Sequence, residues 1–346
     1  MGKVLSVSVA AYNVENCLKK CLESFINSDV LQDIEILVID DGSKDKTAEI
    51  ALYYQQMYPN SIRLISKKNG GHGSTINRGI VEARGQYFKT VDADDWVEID
   101  GINKLVNYLK SSEADVVLNT FYTVSASSLQ KEINSPIICD GMDSQRVYKF
   151  DRVCSKFALY MHAITFKTNV LKHMGPIIDE NCFYVDTEYT IFPIKMVDSV
   201  VYLDFPVYDY LLGTATQSMN MANMIKRREQ HLRVTKRLID YYNQEFSNLS
   251  DQKQELIQRR VESVIRMQFN IYLSMKGSSS YQEVIEFDRW LDKNNPGLYK
   301  TALHSKERGS AYIRFVKMEK NLNFLLYKPL LHILKLFRQG YKLLRK

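Results

Sequence analysis

Short strand-like segments alternate with helix-like segments over the first 120 residues of this chain. The strand-like segments are rich in β-branched and aromatic residues. They are Val4–Ala10, Ile34–Asp40, Ile62–Ser66, Gln86–Asp92 and Ala114–Asn119. Helix-like stretches separate them near residues 15–28, 44–57, 74–84 and 100–111. Because a helix between two strands carries the chain back to start a parallel neighbour, the pattern predicts an α/β fold with a mostly parallel sheet and helices on both faces.

Polar or glycine-rich motifs follow the first four predicted strands. In chain order they are "AAYN" at 10–13, "DDGS" at 40–43, "KKNGGHGS" at 67–74 and "DADD" at 92–95. Ligands of open α/β sheets bind beyond the carboxyl ends of the strands, so these four motifs are predicted to meet at one crevice. The last three motifs also have plainer interpretations. "DDGS" would belong to a helix capped by Ser43 or Asp45, "KKNGGHGS" would be a glycine-rich surface turn, and "DADD" would be a solvated acidic turn. Their shared position favours a ligand site.

Three carboxylates, those of Asp92, Asp94 and Asp95, lie within four positions. Like charges this close repel each other unless a cation compensates them. Carboxylate oxygens suit Mg²⁺ or Mn²⁺, and Mg²⁺ is commonly held between one or two carboxylates and substrate phosphates. The motif therefore predicts a Mn²⁺ or Mg²⁺ site beside a diphosphate, where the metal serves as a Lewis acid for the leaving group.

The net charge of +6 is concentrated near the carboxyl terminus. Residues 300–346 contain 12 Lys and Arg against two Glu, a net of +10, which leaves −4 for the preceding residues. The five cysteines are an odd number, and the sequence shows neither a signal peptide nor an apolar run near 20 residues. A protein of the reducing cytoplasm is expected. Cys17 and Cys21 have no second pair to form a metal site, so we interpret them as ordinary helix residues.

The segments "AAYN", "VIDDGSKDKT", "NGGHGSTINRGI" and "ARGQYFKTVDADDW" together resemble the inverting family 2 glycosyltransferases of the GT-A (Rossmann-like) fold. The resemblance runs from about Val4 to Ser218 and implies a nucleotide-sugar-binding catalytic domain over residues 1–220. It implies that Ala10 and Tyr12 line the pocket for the base and that Asp41 accepts a hydrogen bond from the base imide. It further implies that Asn69 and Gly71 flank the nucleotide, that Asp92 contacts it as well, and that Asp92, Asp94 and Asp95 bind the metal.

A second part of the resemblance involves "FYVDTEYTIFP" at 183–193, which is similar to the motif that carries the family's catalytic base. It implies that Asp186 is the base, although Val185 replaces the usual Glu and Glu188 offers another carboxylate nearby. The alternative is that Asp186 only caps the helix that follows it. The segment "VYDYLLGTATQS" at 207–218 resembles the segment that closes over the diphosphate, with Tyr210, Gln217 and Ser218 as candidates.

The implied reaction is the transfer of one sugar from a nucleotide-diphosphate sugar, a UDP-sugar by expectation, to a glycan hydroxyl with inversion. A hexosyl and an N-acetylhexosaminyl group remain alternatives, as do lipid-linked and protein-linked acceptors in polysaccharide synthesis or protein glycosylation. The sequence lacks the Gln-x-x-Arg-Trp signature of processive synthases, which favours one sugar per encounter. Competing hypotheses are a nucleotidyltransferase that makes sugar nucleotides and a non-catalytic nucleotide-sugar-binding module. A nucleotidyltransferase should have a glycine-rich segment with a basic residue after the first strand, and "AAYNVENCLKK" has none.

Helical patterns dominate residues 221–346, which we expect to form a helical carboxyl-terminal region. Its two clearest stretches, at 223–246 and 254–276, mix Arg and Lys with Asp and Glu. This interleaving indicates solvated helix faces and argues against nucleic acid as a partner. Acceptor recognition and homo-oligomer formation are the roles expected of this region.

The last 19 residues, "KPLLHILKLFRQGYKLLRK", predict a basic amphipathic helix that starts at Pro329. One face gathers Leu330, Ile333, Phe337, Tyr341 and Leu344, and the other gathers Lys335, Arg338, Lys342 and Arg345. Such a helix is too short and too charged to span a bilayer, but it suits an anionic membrane surface. A peripheral position on the inner face of the cell membrane is therefore expected. The alternative is a helix packed on the protein core or on a second subunit.

Overall fold

The structure is a computed structural model that describes residues 2–175, 177–214, 217–275 and 279–304. The predicted amphipathic tail at 328–346 lies outside the described residues and stays a prediction. Within the described residues, every helix falls short of the length and apolar character that crossing a bilayer requires.

The strands join one mixed sheet in the order β3-β2-β1-β4-β9-β6-β10-β5, with β7 paired to β6 and β8 to β10. Their bounds are β1 Leu5–Ala11, β2 Ile34–Asp40, β3 Ile62–Ser66, β4 Tyr87–Asp92, β5 Trp96–Val97, β6 Val116–Ser125, β7 Lys131–Asn134, β8 Val147–Lys149, β9 Ile164–Lys167 and β10 Ser199–Leu212. The predicted α/β fold is confirmed.

The helices that follow strands β1 to β4 agree with the predicted positions to within a few residues. The helices are α1 Leu18–Ile26, α2 Thr47–Met57, α3 His72–Glu82, α4 Ile99–Leu109, α5 Phe150–Val153, α6 Thr168–Lys172, α7 Asp186–Ile191, α8 Met221–Lys226, α9 Arg228–Glu245, α10 Asp251–Ser274, α11 Ser279–Asn294 and α12 Pro296–His304. The side chain of Asp45 accepts the N–H of Thr47 at 3.0 Å at the start of α2, whereas Ser43 accepts the N–H of Asn13 at 3.0 Å.

The two halves of the sheet differ in strand direction. Strands β1 to β4 are parallel, as the alternating pattern predicts, and residues of β1 pair with both β2 and β4. In the other half, β9 runs antiparallel to β4 and β6, and β5 runs antiparallel to β10. β6 and β10 are parallel neighbours although more than 70 residues of chain separate their first residues. These long-range pairings have no periodic signal in the sequence.

The carboxyl ends of β1, β2 and β4 lie together because their residues pair in register. Ala10 pairs with Ile39 on one side and with Asp92 on the other, and Ala11 pairs with Asp40. The motifs that follow these strands therefore start at the same edge of the sheet. Apolar side chains between the sheet and α1 and α4 are buried and form the core beneath that edge, among them Val7, Leu22, Ile36, Leu105 and Val117.

The chain divides into two compact units. Unit 1 consists of Met1–Ser218 and Glu245–Ile257 and contains the whole sheet. Unit 2 takes in Met219–Gln244 and resumes at Gln258. Within unit 2, helices pack through aromatic side chains, with the ring centroids of Phe269 and Phe287 5.0 Å apart.

Candidate active site

The carboxylate of Asp41, only 2% exposed, holds the glycine-rich segment that precedes α3. Its Oδ1 accepts from the Nζ of Lys67 at 2.6 Å and from the N–H of Gly70 at 2.9 Å, and its Oδ2 accepts from the N–H of Gly71 at 2.8 Å. Lys67 also donates to the Oγ of Ser74 at 2.7 Å. The charge of Asp41 is therefore compensated within the protein, and Oδ2 has a second lone pair for an incoming donor.

The turn after β1 is tied to the turn after β2. Asn13, whose φ is +53°, accepts the N–H of Lys44 at 2.8 Å, and Val14 donates its N–H to Thr47 at 2.8 Å. Tyr12 stands on this turn with 49% of its side chain exposed, and Ala10 is half-buried at the end of β1. An exposed ring on a rigid turn next to Asp41 is a suitable platform for a planar base.

The third motif also lies at this edge. Gly42 has φ +76°, and a Cβ there would meet the backbone N of Asn69 at 3.1 Å. Asn69 is exposed, and Gly71 is half-buried with φ +78°. The structure thus brings Ala10, Tyr12, Asp41, Asn69 and Gly71 together, as the sequence predicts.

The three carboxylates of the acidic motif form one cluster after β4. Asp92, Asp94 and Asp95 each offer an oxygen within 4.8 Å of the others. Burial first, and the neighbouring charge of Asp92 second, raise the pKa of Asp94 to about 6, although its side chain reaches solvent. Crowded oxygen ligands of this kind fit a hard divalent cation, so the residues present suit Mg²⁺ or Mn²⁺.

Asp95 differs from its two neighbours because it is buried and bonded to β10. Its Oδ2 accepts from the hydroxyl of Tyr208 at 2.6 Å, and its Oδ1 accepts from the N–H of Leu211 at 2.7 Å. The hydroxyl of Tyr208 in turn accepts the N–H of Asp92 at 3.2 Å. Asp95 therefore anchors the acidic turn to β10, whereas Asp92 and Asp94 face the crevice.

His72, in the glycine-rich motif, contacts the acidic cluster directly. Its Nε2 lies 3.0 Å from Oδ1 of Asp92. Burial alone would lower the pKa of His72, but the charge and hydrogen bond of Asp92, with smaller contributions from Asp186 and Asp94, outweigh burial and raise it. His72 therefore contacts the acidic cluster through Asp92, and the charge of Asp186, the predicted base, also raises its pKa.

Asp186 is half-buried at the first position of α7, whose remaining residues are buried. The segment before it contains Asn181 with φ +55° and Tyr184 with φ +70°, a left-handed conformation that costs about 1–2 kcal/mol for a non-glycine residue. Glu188 is fully buried, and its Oε2 accepts the N–H of Asp179 at 2.8 Å. Glu188 thus supports the segment from within, while Asp186 is the carboxylate of α7 nearer to the crevice.

The segment after β10 adds Gln217 and Ser218 to the same region. The amide of Gln217 accepts the N–H of Gly213 at 3.0 Å and donates to the hydroxyl of Tyr210 at 3.2 Å. The carbonyl of Ser218 accepts from the hydroxyl of Tyr184 at 3.3 Å. Burial raises the pKa of Tyr210 to about 12, opposed by the bond from Gln217 and assisted by the charges of Asp95, Asp92 and Asp186. Tyr210 therefore lies close to the acidic cluster, since the N–H of the adjacent Leu211 is bonded to Asp95.

Besides His72, three side chains near the cluster were not predicted from the sequence as site residues. Tyr208 bridges Asp92 and Asp95, as described above. The ring of His162 stacks on Tyr210 with centroids 4.0 Å apart, and burial lowers the pKa of His162 to about 4. Lys89 is fully buried in β4, where burial lowers its pKa to about 7. A signal was present only for Lys89, a lysine inside an apolar strand, since the other two depend on contacts between distant segments.

Comparison with known proteins supports the class of this site. Residues 6–168 match the family model described as "Glycosyl transferase family 2". The "Uncharacterized glycosyltransferase EpsJ" of Bacillus subtilis is 29% identical over 216 residues, which cover 61% of each chain. The "Glycosyltransferase GlyA" of Streptococcus pneumoniae is 36% identical over 36% of this chain and 17% of its own length. The chain thus spans less than two thirds of each of these relatives.

Among solved structures, the chain resembles residues 1–349 of S. aureus TarS with a TM-score of 0.62 at 16% identity, covering 92% of both chains. A structure of the same fragment in complex with UDP-GlcNAc matches with a TM-score of 0.58, also at 16% identity and 92% coverage of both chains. This likeness confirms the predicted GT-A fold. The matches agree with the predicted class of enzyme, a glycosyltransferase, for the part of the chain that they cover.

Proposed function

We propose that this chain, whose residues 6–168 match the glycosyl transferase family 2 model, is a metal-dependent glycosyltransferase that inverts the anomeric centre. It transfers one sugar, hexosyl or N-acetylhexosaminyl, from a nucleotide-diphosphate sugar to a hydroxyl of a glycan acceptor. The observation that carries the proposal is the meeting of Asp41, the acidic cluster and Asp186 at one edge of the sheet. Residues 1–220 form the catalytic domain in this proposal, and residues 221–346 form the helical region.

The donor is proposed to be a UDP-sugar. Oδ2 of Asp41 accepts one bond, from the N–H of Gly71, and the imide N–H of uracil is a donor that such a carboxylate accepts, with the exposed ring of Tyr12 on the turn after β1 to stack on the base. Ala10, Asn69 and Gly71 complete this end of the site, and Gln217 and Ser218 lie at the other end. The TarS fragment with UDP-GlcNAc has the same fold, which supports this choice of donor.

The proposed metal site consists of Asp92, Asp94 and Asp95, of which Asp95 also anchors the turn to β10. A bound Mg²⁺ or Mn²⁺ would supply Lewis-acid stabilisation for the departing diphosphate. The protein residues hold the donor so that its anomeric carbon faces Asp186. Asp186 accepts the proton of the acceptor hydroxyl while that oxygen attacks from the face opposite the diphosphate. General-base assistance of this kind contributes about 10²–10⁴-fold.

The acceptor is proposed to be a glycan that is either lipid-linked or protein-linked. A relative from Bacillus spizizenii, 28% identical over 52% of this chain and 29% of its own length, is named "Poly(ribitol-phosphate) beta-glucosyltransferase". That name supports a role at a surface polymer.

The basic tail at 328–346 would then rest on an anionic membrane. Sedimentation with anionic liposomes, compared for the full chain and for a chain ending at Tyr327, tests this proposal. Equal binding by the two chains would contradict it.

A panel of nucleotide sugars with Mn²⁺ tests the proposed function. Release of nucleoside diphosphate from one donor, faster with acceptor than without, is expected. A nucleotidyltransferase would instead form a sugar nucleotide from a sugar phosphate and a nucleoside triphosphate, with release of pyrophosphate. Binding of a nucleotide sugar without any turnover would favour the non-catalytic module.

A further inference from the structure

Asn77 of α3 forms a two-way hydrogen-bonded contact with the segment that leads to Asp186. Its Nδ2 donates to the carbonyl of Ile178 at 2.8 Å, and its Oδ1 accepts the N–H of the same residue at 3.0 Å. Nδ2 also lies 3.2 Å from Oε1 of Glu180. An amide that bonds to both the N–H and the carbonyl of one residue fixes the position and the direction of the backbone at that residue.

The glycines before and within α3 let the same segment lie against the helix. A Cβ on Gly73 would overlap the carbonyl oxygen of Asp179, and a Cβ on Gly71 would meet the Cα of Asn181 at 3.3 Å. The N–H of Asn181 donates to the carbonyl of Gly70 at 2.5 Å. The close approach that these glycines permit is therefore made by the protein's own backbone at 179–182.

At Tyr184 the segment departs from the local preference of its residue. Asn181 and Tyr184 both have a left-handed backbone, and for a bulky residue such as Tyr184 this conformation persists only when the surroundings impose it. The surroundings are α3 on one side and Glu188, bonded to the N–H of Asp179, on the other. Asp186 follows Tyr184 by two residues, so its position depends on these contacts.

We infer that Asn77 is a positioning residue that sets the place of Asp186 from helix α3. The inference rests on the proposed function, in which Asp186 is the base. Gly70 and Gly71, which also bind Asp41, connect this contact with the nucleotide end of the site. Loss of the Asn77 amide should therefore displace the base while the carboxylate of Asp41 keeps its own bonds.

Asn103 of α4 provides a matched control. Its Oδ1 accepts the N–H of Asp29 at 3.0 Å and its Nδ2 donates to Oδ2 of Asp29 at 3.1 Å, and like Asn77 it is half-buried. Asp29 precedes β2, so this contact lies by the amino ends of the strands, away from the crevice. The variants Asn77→Leu and Asn103→Leu each remove one bridging amide from a half-buried position on a helix.

Turnover is measured with the nucleotide sugar that the wild-type chain accepts, and donor affinity with UDP and Mn²⁺. For Asn77→Leu we expect kcat to fall about 10-fold or more, since small misplacements of a reacting group are costly, and Kd for UDP to change less than about 3-fold. Asn77→Asp keeps the acceptor for Ile178 but places a carboxylate against its carbonyl, and should behave likewise. Gly73→Ala displaces the segment sterically and should lower kcat with Asn77 intact. Asn103→Leu should leave kcat unchanged.

Hydrogen exchange of the peptide spanning 178–186 gives a second measurement that does not need activity. Faster exchange there in Asn77→Leu, and wild-type exchange in Asn103→Leu, is expected. Equal kcat and equal exchange for the two leucine variants would overturn the inference, as would a loss of UDP affinity that matches the loss of kcat. If the wild-type chain turns over no nucleotide sugar, the proposed function fails, and exchange alone then decides whether Asn77 positions the segment.

Discussion

The nucleotide end and the acidic end of the crevice contain similar groups but compensate their charge differently. Asp41 and Asp95 are each 2% exposed. Asp41 follows β2 and Asp95 follows β4, the two parallel strands that flank β1. Asp41 is paired with Lys67 and two backbone N–H groups. Asp95 instead lies in a cluster with Asp92 and Asp94, and burial followed by those two charges raises its pKa well above the usual value. The charge at the nucleotide end is compensated by groups of the protein, whereas the crowded carboxylates of the acidic end require a bound cation.

The largest expected effect tests the acidic end. Asp94→Ala should lower metal-dependent transfer about 10³-fold, because Lewis-acid stabilisation of the leaving group is worth several kcal/mol. Its unfolding free energy measured in chelator should equal or exceed that of wild type, since removal of Asp94 relieves the burial and the like charge of Asp92 that raise its pKa. Full activity of this variant in the presence of chelator would refute the metal assignment.

Asp186→Asn tests the role of the base in turnover separately from the binding of the donor at the two ends of the crevice. An amide has nearly the size of a carboxylate but cannot accept the acceptor proton, so turnover should fall about 10²-fold or more. Affinity for UDP with Mn²⁺ should stay at the wild-type value. Isothermal titration and initial rates check both parts; preserved turnover with lost affinity would move the base elsewhere.

Asp41→Asn tests whether the nucleotide end is compensated by Lys67 as the contacts indicate. The substitution leaves the Lys67 ammonium without its carboxylate and turns an amide donor toward backbone N–H groups. Since Lys67 is partly solvated, we expect the unfolding free energy to drop by about 2 kcal/mol, measured by urea denaturation. A stability equal to that of Asp94→Ala would remove the contrast between the two ends.

The smallest expected effect concerns Lys89. It tests whether this buried side chain is a cation that compensates the charge of the acidic end. Its Nζ donates to the carbonyls of His162 at 2.8 Å and Ile164 at 3.2 Å, two acceptors that suit the two N–H groups of a neutral amine. Burial lowers its folded pKa to about 7, whereas the unfolded value is near 10.4. Between these two values the unfolded chain binds more protons, so stability should rise with pH.

Urea unfolding of wild type and Lys89→Met measures that pH dependence. From pH 7 to pH 8 the unfolding free energy of wild type should rise by about 1 kcal/mol relative to the variant. Below pH 7 the difference should become constant, because both states then bind the proton. A wild-type stability that stays constant relative to the variant over this range would mean that Lys89 remains charged in the folded state and serves as a counter-ion.

The first half of the sheet was predictable because its contacts are nearly local. The strand and helix periods of residues 4–119 follow one another, and each polar motif lies directly after its strand. Glycine at 42 and acidic residues at 92, 94 and 95 mark their turns without any knowledge of the partners. The second half was not predictable in this way, since β9 and β10 pair with strands that lie about 45 to 115 residues earlier.

The sequence alone determined the fold class, the edge of the sheet where the motifs meet and the residue types that gather there, because periodicity and turn chemistry are encoded within a few residues. Only the tertiary structure decided which of those residues contact one another and which are buried. It buried Asp95 against Tyr208, placed His72 against Asp92, and set Asn77 against Ile178. Each of these pairs joins segments 20 to more than 100 residues apart, and such pairs form only when the core beneath the edge brings the segments together.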